Sequence, residues 1–427
     1  MLFKLKIVYY LLTIKLLNIS GVNKTEFHKS LLKRKFVKKI RASRYYMNLL
    51  DKHGSIEKFP LTNKNIFMEN FDLINTAGIS IGQASETAEK AEKSRNFSNM
   101  IGDISVGLST GTSGKRGIFL ISENERARWV AYILDRVIGF SFRRRKLAFF
   151  LRADNKLYQS VKSNILDFQF FDIHLSIDEH VTKINELNPD ILIAQPSVLS
   201  VITKLKNQSK ITIQPKQIIS VAEVLTQEDR KHIENTFQVK ISEVYQCTEG
   251  FLAASCKEGT LHFNEDYLII EKKYINAEKT KFHPVITDLL RKTQPIIRYE
   301  LNDIISEKKN CACGNTHIGI QQIEGRSDDI IIMKNTKGEK TTIFPDIIRR
   351  TVVLSDSNID DYKVTYKSFT FHLAIKSQNK TSFSKAQNAL IKKLNTYDIY
   401  DFEIIQIPYK TIDLGTVSYT HLTLPTI

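Results

Sequence analysis

The chain has 427 residues, 42% hydrophobic and 25% charged, which suits two globular domains and excludes a disordered or low-complexity protein. Its four cysteines are too few for a disulfide framework at this size. The net charge of +16 is unevenly placed: residues 1–50 hold twelve Lys and Arg against Glu26 alone, a local balance of +11.

Met1–Ser20 is apolar, starts with Lys4 and Lys6, and is interrupted by Lys15. No small-residue cleavage site follows it, and it is too short and too charged to span a bilayer comfortably. It is expected to be an amphipathic helix docked on the body, and with no export signal the expected location is the cytoplasm. Lys24–Arg44 interleaves basic residues with Leu31, Leu32, Phe36 and Ile40. This reads first as a solvated basic helix face, and second as a weak contact with an anionic membrane surface. No motif supports nucleic acid as a partner. Residues 1–100 are expected to be helical, with Glu86–Ser98 an exposed helix or linker.

From Ile104 the pattern becomes α/β. Ile104–Leu108 and Ile118–Ile121 read as strands, followed by a helix from Ser122 with Trp129, Ile133 and Val137 on one face. Between the strands lie Ser109, Thr110, Gly111, Thr112, Ser113, Gly114, Lys115, Arg116 and Gly117. Such a loop can hold phosphate, because glycines admit close backbone approach and N–H and hydroxyl groups point at the anion. It is not a Walker A loop: Ser109 replaces the first Gly and Arg116 follows Lys115. A Gly-rich turn is the plain alternative. Strands are expected at Leu147–Leu151, Asp167–Ile173, Asp190–Ala194, Gln217–Val221 and Val239–Val244. Helices are expected at Ile177–Leu187, Pro196–Leu205 and Thr226–Phe237, the last capped by Thr226. Strands alternating with helices predict a mostly parallel sheet covered on both faces. Past Phe251 come short strands at Leu261–Glu271, Val285–Thr287 and Ile296–Arg298. A boundary near Gly325–Asp328 then leads into a second small β/α pattern, with a helix at Phe344–Leu354, strands at Tyr362–Tyr366 and Thr370–Ile375, helix Ser384–Leu394 and strand Phe402–Ile407.

Four stretches occur in a fixed order: Ser109–Gly117, Tyr245–Gly250 (Tyr-Gln-Cys-Thr-Glu-Gly), Arg298–Asp303 (Arg-Tyr-Glu-Leu-Asn-Asp) and Glu324–Asp329 (Glu-Gly-Arg-Ser-Asp-Asp). Together they resemble the adenylate-forming superfamily, nearest its phenylacetate–CoA ligase-like branch with coenzyme F synthetase and CapK-related proteins. The resemblance runs from about Leu32 to Leu414. It implies a large N-terminal adenylate-forming domain of α/β class, with mostly parallel sheets covered by helices, and a small α+β C-terminal domain. Residues 1–100 would be the helical start of the large domain, 101–325 its core, and 326–427 a small mobile domain.

The activity implied is ATP- and magnesium-dependent adenylation of a small carboxylic acid, with pyrophosphate release. Transfer to coenzyme A would follow, or AMP would be left on another acceptor. Ser109, Thr110, Gly111, Thr112, Ser113 and Gly114 would cradle phosphates, and Lys115 matches a lysine of that loop. Glu249 would ligate magnesium beside Thr248, and Tyr245 would stack near adenine. Asp303 would accept from the ribose hydroxyls, with Leu301-Asn302 where the family has Thr-Gly. Arg326 would reach the nucleotide, and Asp328 or Asp329 would be the hinge. The acid is expected around Ala194–Ser200, Ser220–Glu223 and Tyr245. A nucleotide-binding module without catalysis is the rival reading.

Cys256, His262, Cys311 and Cys313 form a separate constellation. Three thiolates and an imidazole complete a closed, structural zinc site, with His317 as the alternative fourth ligand. Free cysteines beside a surface His262 are the plain alternative. Cys247 is expected near the nucleotide, and His174, His180, His232 and His283 as ordinary histidines. Members of the superfamily place a lysine near the C-terminus onto the reacting groups. Here Gly415-Thr416 is followed by residues 417–427 without Lys or Arg. This ending reads as a non-native tail on a truncated domain, with Lys410 the nearest substitute.

Overall fold

The computed structural model describes residues 2–19, 22–94, 100–108, 117–139, 141, 143–151, 166–173, 177–326, 331–343, 347–348, 351–352, 355–356, 358–409 and 422–423. The N-terminal region is helical, as expected: α1 (Leu2–Ile19), α2 (Val22–Ile40), α3 (Arg44–His53), α4 (Lys64–Glu69), α5 (Phe71–Ile74) and α6 (Ile81–Ser94). Helix α1 docks on the body by burying Ile7 and Ile14. Two ion pairs pin it there, Lys6 to Glu123 at 2.8 Å and Lys15 to Asp135 at 2.7 Å. Helix α2 turns Leu32, Phe36 and Ile40 into the core and leaves Arg34, Lys35, Lys38 and Lys39 exposed. The apolar residues interleaved with its basic ones therefore build the core, and the basic face is the solvated one. Helix α6 buries Ala84, Ala88 and Ala91, so the expected stretch is a packed helix as far as Ser94, and residues 95–98 lie outside the described residues.

A small antiparallel sheet follows, made of β1 (Met100–Ile101), β2 (Ile104–Leu108) and β3 (Ile118–Ile121). Leu108 lies opposite Ile118, so the chain before and after residues 109–117 is brought together. Residues 109–116, which include Ser109, Thr110, Gly111, Thr112, Ser113, Gly114 and Lys115, lie outside the described residues. Helix α7 (Glu123–Ile133) starts in a capping box, where Glu125 accepts from both the Ser122 hydroxyl and the Ser122 N–H.

One sheet of twelve strands dominates the molecule. Strands β4 (Arg145–Leu151), β5 (Leu166–Asp172), β6 (Ile191–Ala194), β7 (Gln217–Ser220) and β8 (Ile241–Cys247) run parallel in the order β5-β4-β6-β7-β8. Helices α8 (Ile177–Leu187), α9 (Pro196–Asn207) and α10 (Gln227–Phe237) connect them. As expected, Thr226 caps α10, its hydroxyl accepting the Asp229 N–H at 3.1 Å. All four residues of β6 are buried, as a strand covered on both faces requires.

Past β8 the sheet turns antiparallel, with β9 (Gly250–Ser255), β10 (Leu261–Phe263), β11 (Leu268–Tyr274), β12 (Lys281–Asp288), β13 (Ile296–Glu300), β14 (Asp303–Lys308) and β15 (Gly319–Arg326). They continue from β8 in the order β9-β10-β15-β14-β12-β11, and β13 pairs with β12. Strand β8 thus has a parallel neighbour on one side and an antiparallel one on the other.

The smaller C-terminal unit comprises β16 (Ile331–Lys334), β17 (Lys340–Ile343), β18 (Ile359–Lys367), β19 (Thr370–Ser377), helix α11 (Ser382–Asn395), β20 (Glu403–Gln406) and the two-residue β21 (Leu422–Thr423). It closes its own core around Val364, Phe371, Leu373, Leu390 and Leu394. The expected hinge residues Asp328 and Asp329 lie outside the described residues, as do Lys410 and most of the tail after it. So does part of the helix expected over Phe344–Leu354, of which Ile347, Ile348, Thr351 and Val352 are helical.

Candidate active site

The C-terminal end of β8 is where parallel pairing gives way to antiparallel pairing. In α/β sheets, crevices at the carboxyl ends of strands, where the topology switches, are the usual ligand sites. Here the strand carries Tyr245, Gln246 and Cys247, and Thr248 and Glu249 form the turn into β9, with Cys247 opposite Gly250. The Thr248 hydroxyl donates to Glu249 Oε2 at 3.0 Å. Burial first, then the charge of nearby Glu249, hold the Tyr299 phenol well above its ordinary pKa.

Asp303 opens β14 and stands opposite Arg326, near the end of β15, in the antiparallel register. The Arg326 Nε is 3.7 Å from Asp303 Oδ1, and the Tyr245 hydroxyl donates to Asp303 Oδ2 at 2.5 Å. Burial pushes the Asp303 carboxyl up, and the Glu249 charge adds to this, while Arg326 and the Tyr245 hydrogen bond oppose it. Burial and then the Asp303 charge raise the Tyr245 phenol, so it stays neutral and remains a donor. Cys247 sits in the same corner, its thiol raised by burial and by Glu249 and Asp303. Thus Tyr245, Thr248, Glu249, Asp303 and Arg326, up to 81 positions apart in sequence, meet in one place.

Arg291 is a residue that sequence reasoning missed. It is 6% exposed and spans two elements. Its Nη1 donates to the carbonyls of Thr248 at 3.2 Å and Glu249 at 3.5 Å, and its Nη2 to that of Leu120 at 3.4 Å. Gln294 supports the same strand by accepting the Leu120 N–H at 2.8 Å. The guanidinium fork therefore ties β3, which leads out of the 109–116 loop, to the Glu249 turn. Asp288 lies beside it, pushed up to about 6 by burial. A Cβ on Gly250, the first residue of β9, would come within 3.1 Å of its Oδ2, an approach the Asp288 carboxyl would have to yield to by a few tenths of an ångström. Arg291, Gln294 and Asp288 carry no motif, and the sequence offers no signal beyond a polar loop before Pro295.

An apolar pocket opens on the other side of β8, with about 730 Å³ of space including its mouth. Trp129, Ile133, Phe149, Phe168, Ile219 and Val244 form much of its wall. Gln246 supplies a polar group, and its Oε1 accepts the Trp129 indole N–H at 3.1 Å. Among the described residues, no charged side chain lines it. Val221 and Ala222 come from the region expected to hold the acid; Ala194 instead packs in a separate core with Val198 and Leu199.

Cys256, His262, Cys311 and Cys313 converge, with one ligand atom from each lying within 4.8 Å of all the others. Cys256 Sγ is 3.7 Å from Cys311 Sγ, and Cys313 Sγ is 3.4 Å from His262 Nε2. Zinc bonds of ~2.3 Å to sulfur and ~2.0 Å to nitrogen give tetrahedral edges of about 3.8 and 3.5 Å, so the donors match the metal. His262 Nδ1 is 3.0 Å from the His317 carbonyl. An N–H there fixes the tautomer and leaves Nε2 free as a ligand, the usual outer-shell arrangement. His317 thus serves His262 through its backbone, and its ring is not part of the cluster. Hydrogen bonds from Thr260, Cys313 and His262 lower the Cys311 thiol to about 5, favouring thiolate. Of the other histidines, His180 bonds the Asp172 carbonyl and His283 that of Asp303.

No protein-family model matches the chain. Its fold is that of the adenylate-forming ligases. A 2-hydroxyisobutyryl-CoA ligase in the postadenylation state superposes with a TM-score of 0.66 at 12% identity, covering 94% of this chain and 89% of that one. An anthranilate CoA ligase bound to anthranoyl-AMP gives 0.54 at 12% identity, covering 74% and 65%. In sequence, the chain is 26% identical over 170 residues to the protein CapK of Staphylococcus aureus, which covers 38% of this chain and 37% of that protein. It is 21% identical over 209 residues to a phenylacetate–coenzyme A ligase of Thermus thermophilus, covering 44% and 45%. The matched stretches thus span less than half of either relative.

Proposed function

We propose that this chain is an adenylate-forming ligase: it joins AMP to the carboxylate of an apolar acid, releases pyrophosphate, and passes the acyl group to coenzyme A. The observation that carries this reading is the meeting of Tyr245, Glu249, Asp303 and Arg326 at the end of β8, back to back with an apolar pocket. Asp303 accepts from the ribose hydroxyls once Tyr245 yields, and the Tyr245 ring flanks the adenine. Glu249, with Thr248 beside it, would hold magnesium, which would supply positive charge against the phosphates. Residues 109–116 would supply backbone and hydroxyl donors to the β- and γ-phosphates, with Lys115 adding charge. An acid seated against Trp129 and Ile219 directs a carboxylate oxygen at the α-phosphorus. The new acyl O–P bond forms as the bond from that phosphorus to pyrophosphate breaks.

Cys256, His262, Cys311 and Cys313 hold a structural zinc, with no position left for substrate. The unit that begins with β16 would be the small domain, with Arg326 left in β15 of the large sheet, and its rotation would bring the second half-reaction into place. The test is pyrophosphate release with ATP, magnesium and a panel of aromatic, branched and polyhydroxylated carboxylic acids. Apolar acids should support turnover, and Glu249→Gln should lower it at least about a hundredfold. Release with no acid of the panel would favour a nucleotide-binding module without catalysis. The mass of the final product distinguishes an acyl thioester from AMP left on another acceptor.

A further inference from the structure

Helix α1 is apolar on two opposite sides. One side, with Ile7 and Ile14, is buried against the body. The other carries Leu2, Leu5, Val8, Tyr9, Leu12 and Leu16, each between 51% and 68% exposed. At about 100° per residue these six fall within an arc of roughly 120°, centred almost opposite Ile7 and Ile14. An apolar stripe along an 18-residue helix is larger than the scattered surface leucines of an ordinary monomer.

The charge around the stripe selects its partner. Lys4 and Lys15 border one flank. Along the other flank Tyr10 lies under Arg128, whose guanidinium is 4.5 Å from the ring centroid. Arg128, Lys35 and Lys39 stand close enough to Lys292 to depress its pKa, adding to the effect of burial. Lys35 and Lys39 are exposed. Residues 1–50 together carry +11. A second copy docking through the same stripe would bring two such segments face to face, and the repulsion opposes it. An anionic surface gains from both features at once.

We infer that α1 and the neighbouring basic face of α2 form a docking surface for an anionic lipid bilayer, with the α1 stripe inserted among the acyl chains and the cations over the headgroups. The helix lies in the plane of the interface. Its other face is occupied by protein, and among the described residues no helix is long and apolar enough to cross a membrane. The surface differs from the one the sequence suggested. There the basic Lys24–Arg44 stretch was the contact with an anionic surface, but its Leu32, Phe36 and Ile40 are buried and cannot insert. Insertion belongs to α1 and charge attraction to α2. The inference is independent of the proposed chemistry.

Flotation of the full chain with vesicles tests it. The vesicles are phosphatidylcholine alone, or phosphatidylcholine mixed with phosphatidylglycerol. Binding to the anionic vesicles should exceed binding to neutral ones at least about tenfold at low salt and weaken as salt shortens the screening length. Leu5→Glu/Leu12→Glu should reduce binding about tenfold or more at any salt. Lys35→Glu/Lys39→Glu should remove the preference for anionic lipid. Circular dichroism melts establish that each variant is folded, and the lipid and salt dependence of the unaltered chain needs no variant. Absent binding, or equal binding to both vesicles, would overturn the inference. So would sedimentation showing that Leu12→Glu dissociates a dimer, since the stripe would then belong to a second copy.

Discussion

Asp303 is held between a phenol that donates to it and a guanidinium 3.7 Å away, and burial still raises its pKa. The direction has two consequences of opposite sign. For folding, a raised carboxyl means the native chain binds more protons than the unfolded one, so this group's contribution to stability is full below the unfolded pKa and is lost as pH rises through the folded value. For the proposed nucleotide site, the ionised form would be the acceptor, so affinity should fall as pH drops through that same raised value. ATP titrations of the wild type should therefore weaken on acidification above the ordinary carboxylate range. Asp303→Asn should bind at least about tenfold more weakly near neutrality and show a flatter profile. A variant that keeps the wild-type profile would remove Asp303 from the ribose site. Arg291 offers a second test at this scale. Lys keeps the charge but cannot reach the carbonyls of Leu120 and Thr248 together. Arg291→Lys should raise the KM for ATP several-fold or more while leaving the KM for the acid nearly unchanged. Equal effects on both would make Arg291 a general structural residue.

Among the elements, the Cys256–His262–Cys311–Cys313 nodule ties the turn after β9 and strand β10 to the loop between β14 and β15. Elemental analysis of protein purified without a metal-binding tag should find about one zinc per chain. Replacing Cys311 and Cys313 by Ser should abolish it and lower the melting temperature by several degrees. Metal-free protein with an unchanged melt would leave three ordinary thiols.

The ligand set was legible because its chemistry depends on residue type and number. The elements of the parallel half were also legible, because fully buried strands such as Ile191–Ala194 read as apolar runs bounded by turn residues. Strands β14 and β15 were not. Their pairing shifts register between Ile304 and Ile305 and again between Ser306 and Glu307, each time with one extra residue on β15, which breaks that strand's period of two. The same limit applies to the site. Motif residues Tyr245, Glu249, Asp303 and Arg326 could be read in order, whereas Arg291 works through backbone carbonyls, which leave no trace in the partner's side chains.

For the whole molecule, the decisive feature is the position of β8 inside one unbroken sheet. Its backbone is hydrogen-bonded to β7 on one edge and β9 on the other, and its two faces carry the Tyr245–Asp303 corner and the apolar pocket. A strand fixed in this way can release its amide hydrogens only when the large domain unfolds as a unit. In hydrogen exchange, the Val244 and Tyr245 amides should therefore be among the slowest in the chain, and ATP or acid should hardly alter them beyond the general gain in stability. On the proposed function, the distance between the acid's seat and the nucleotide's seat is thus preset by a stretch of backbone that neither ligand can lengthen. Selection among acids by length then becomes a matter of ruler and not of clamp: an acid whose carboxylate falls short of that fixed span gains nothing from tighter burial of its tail.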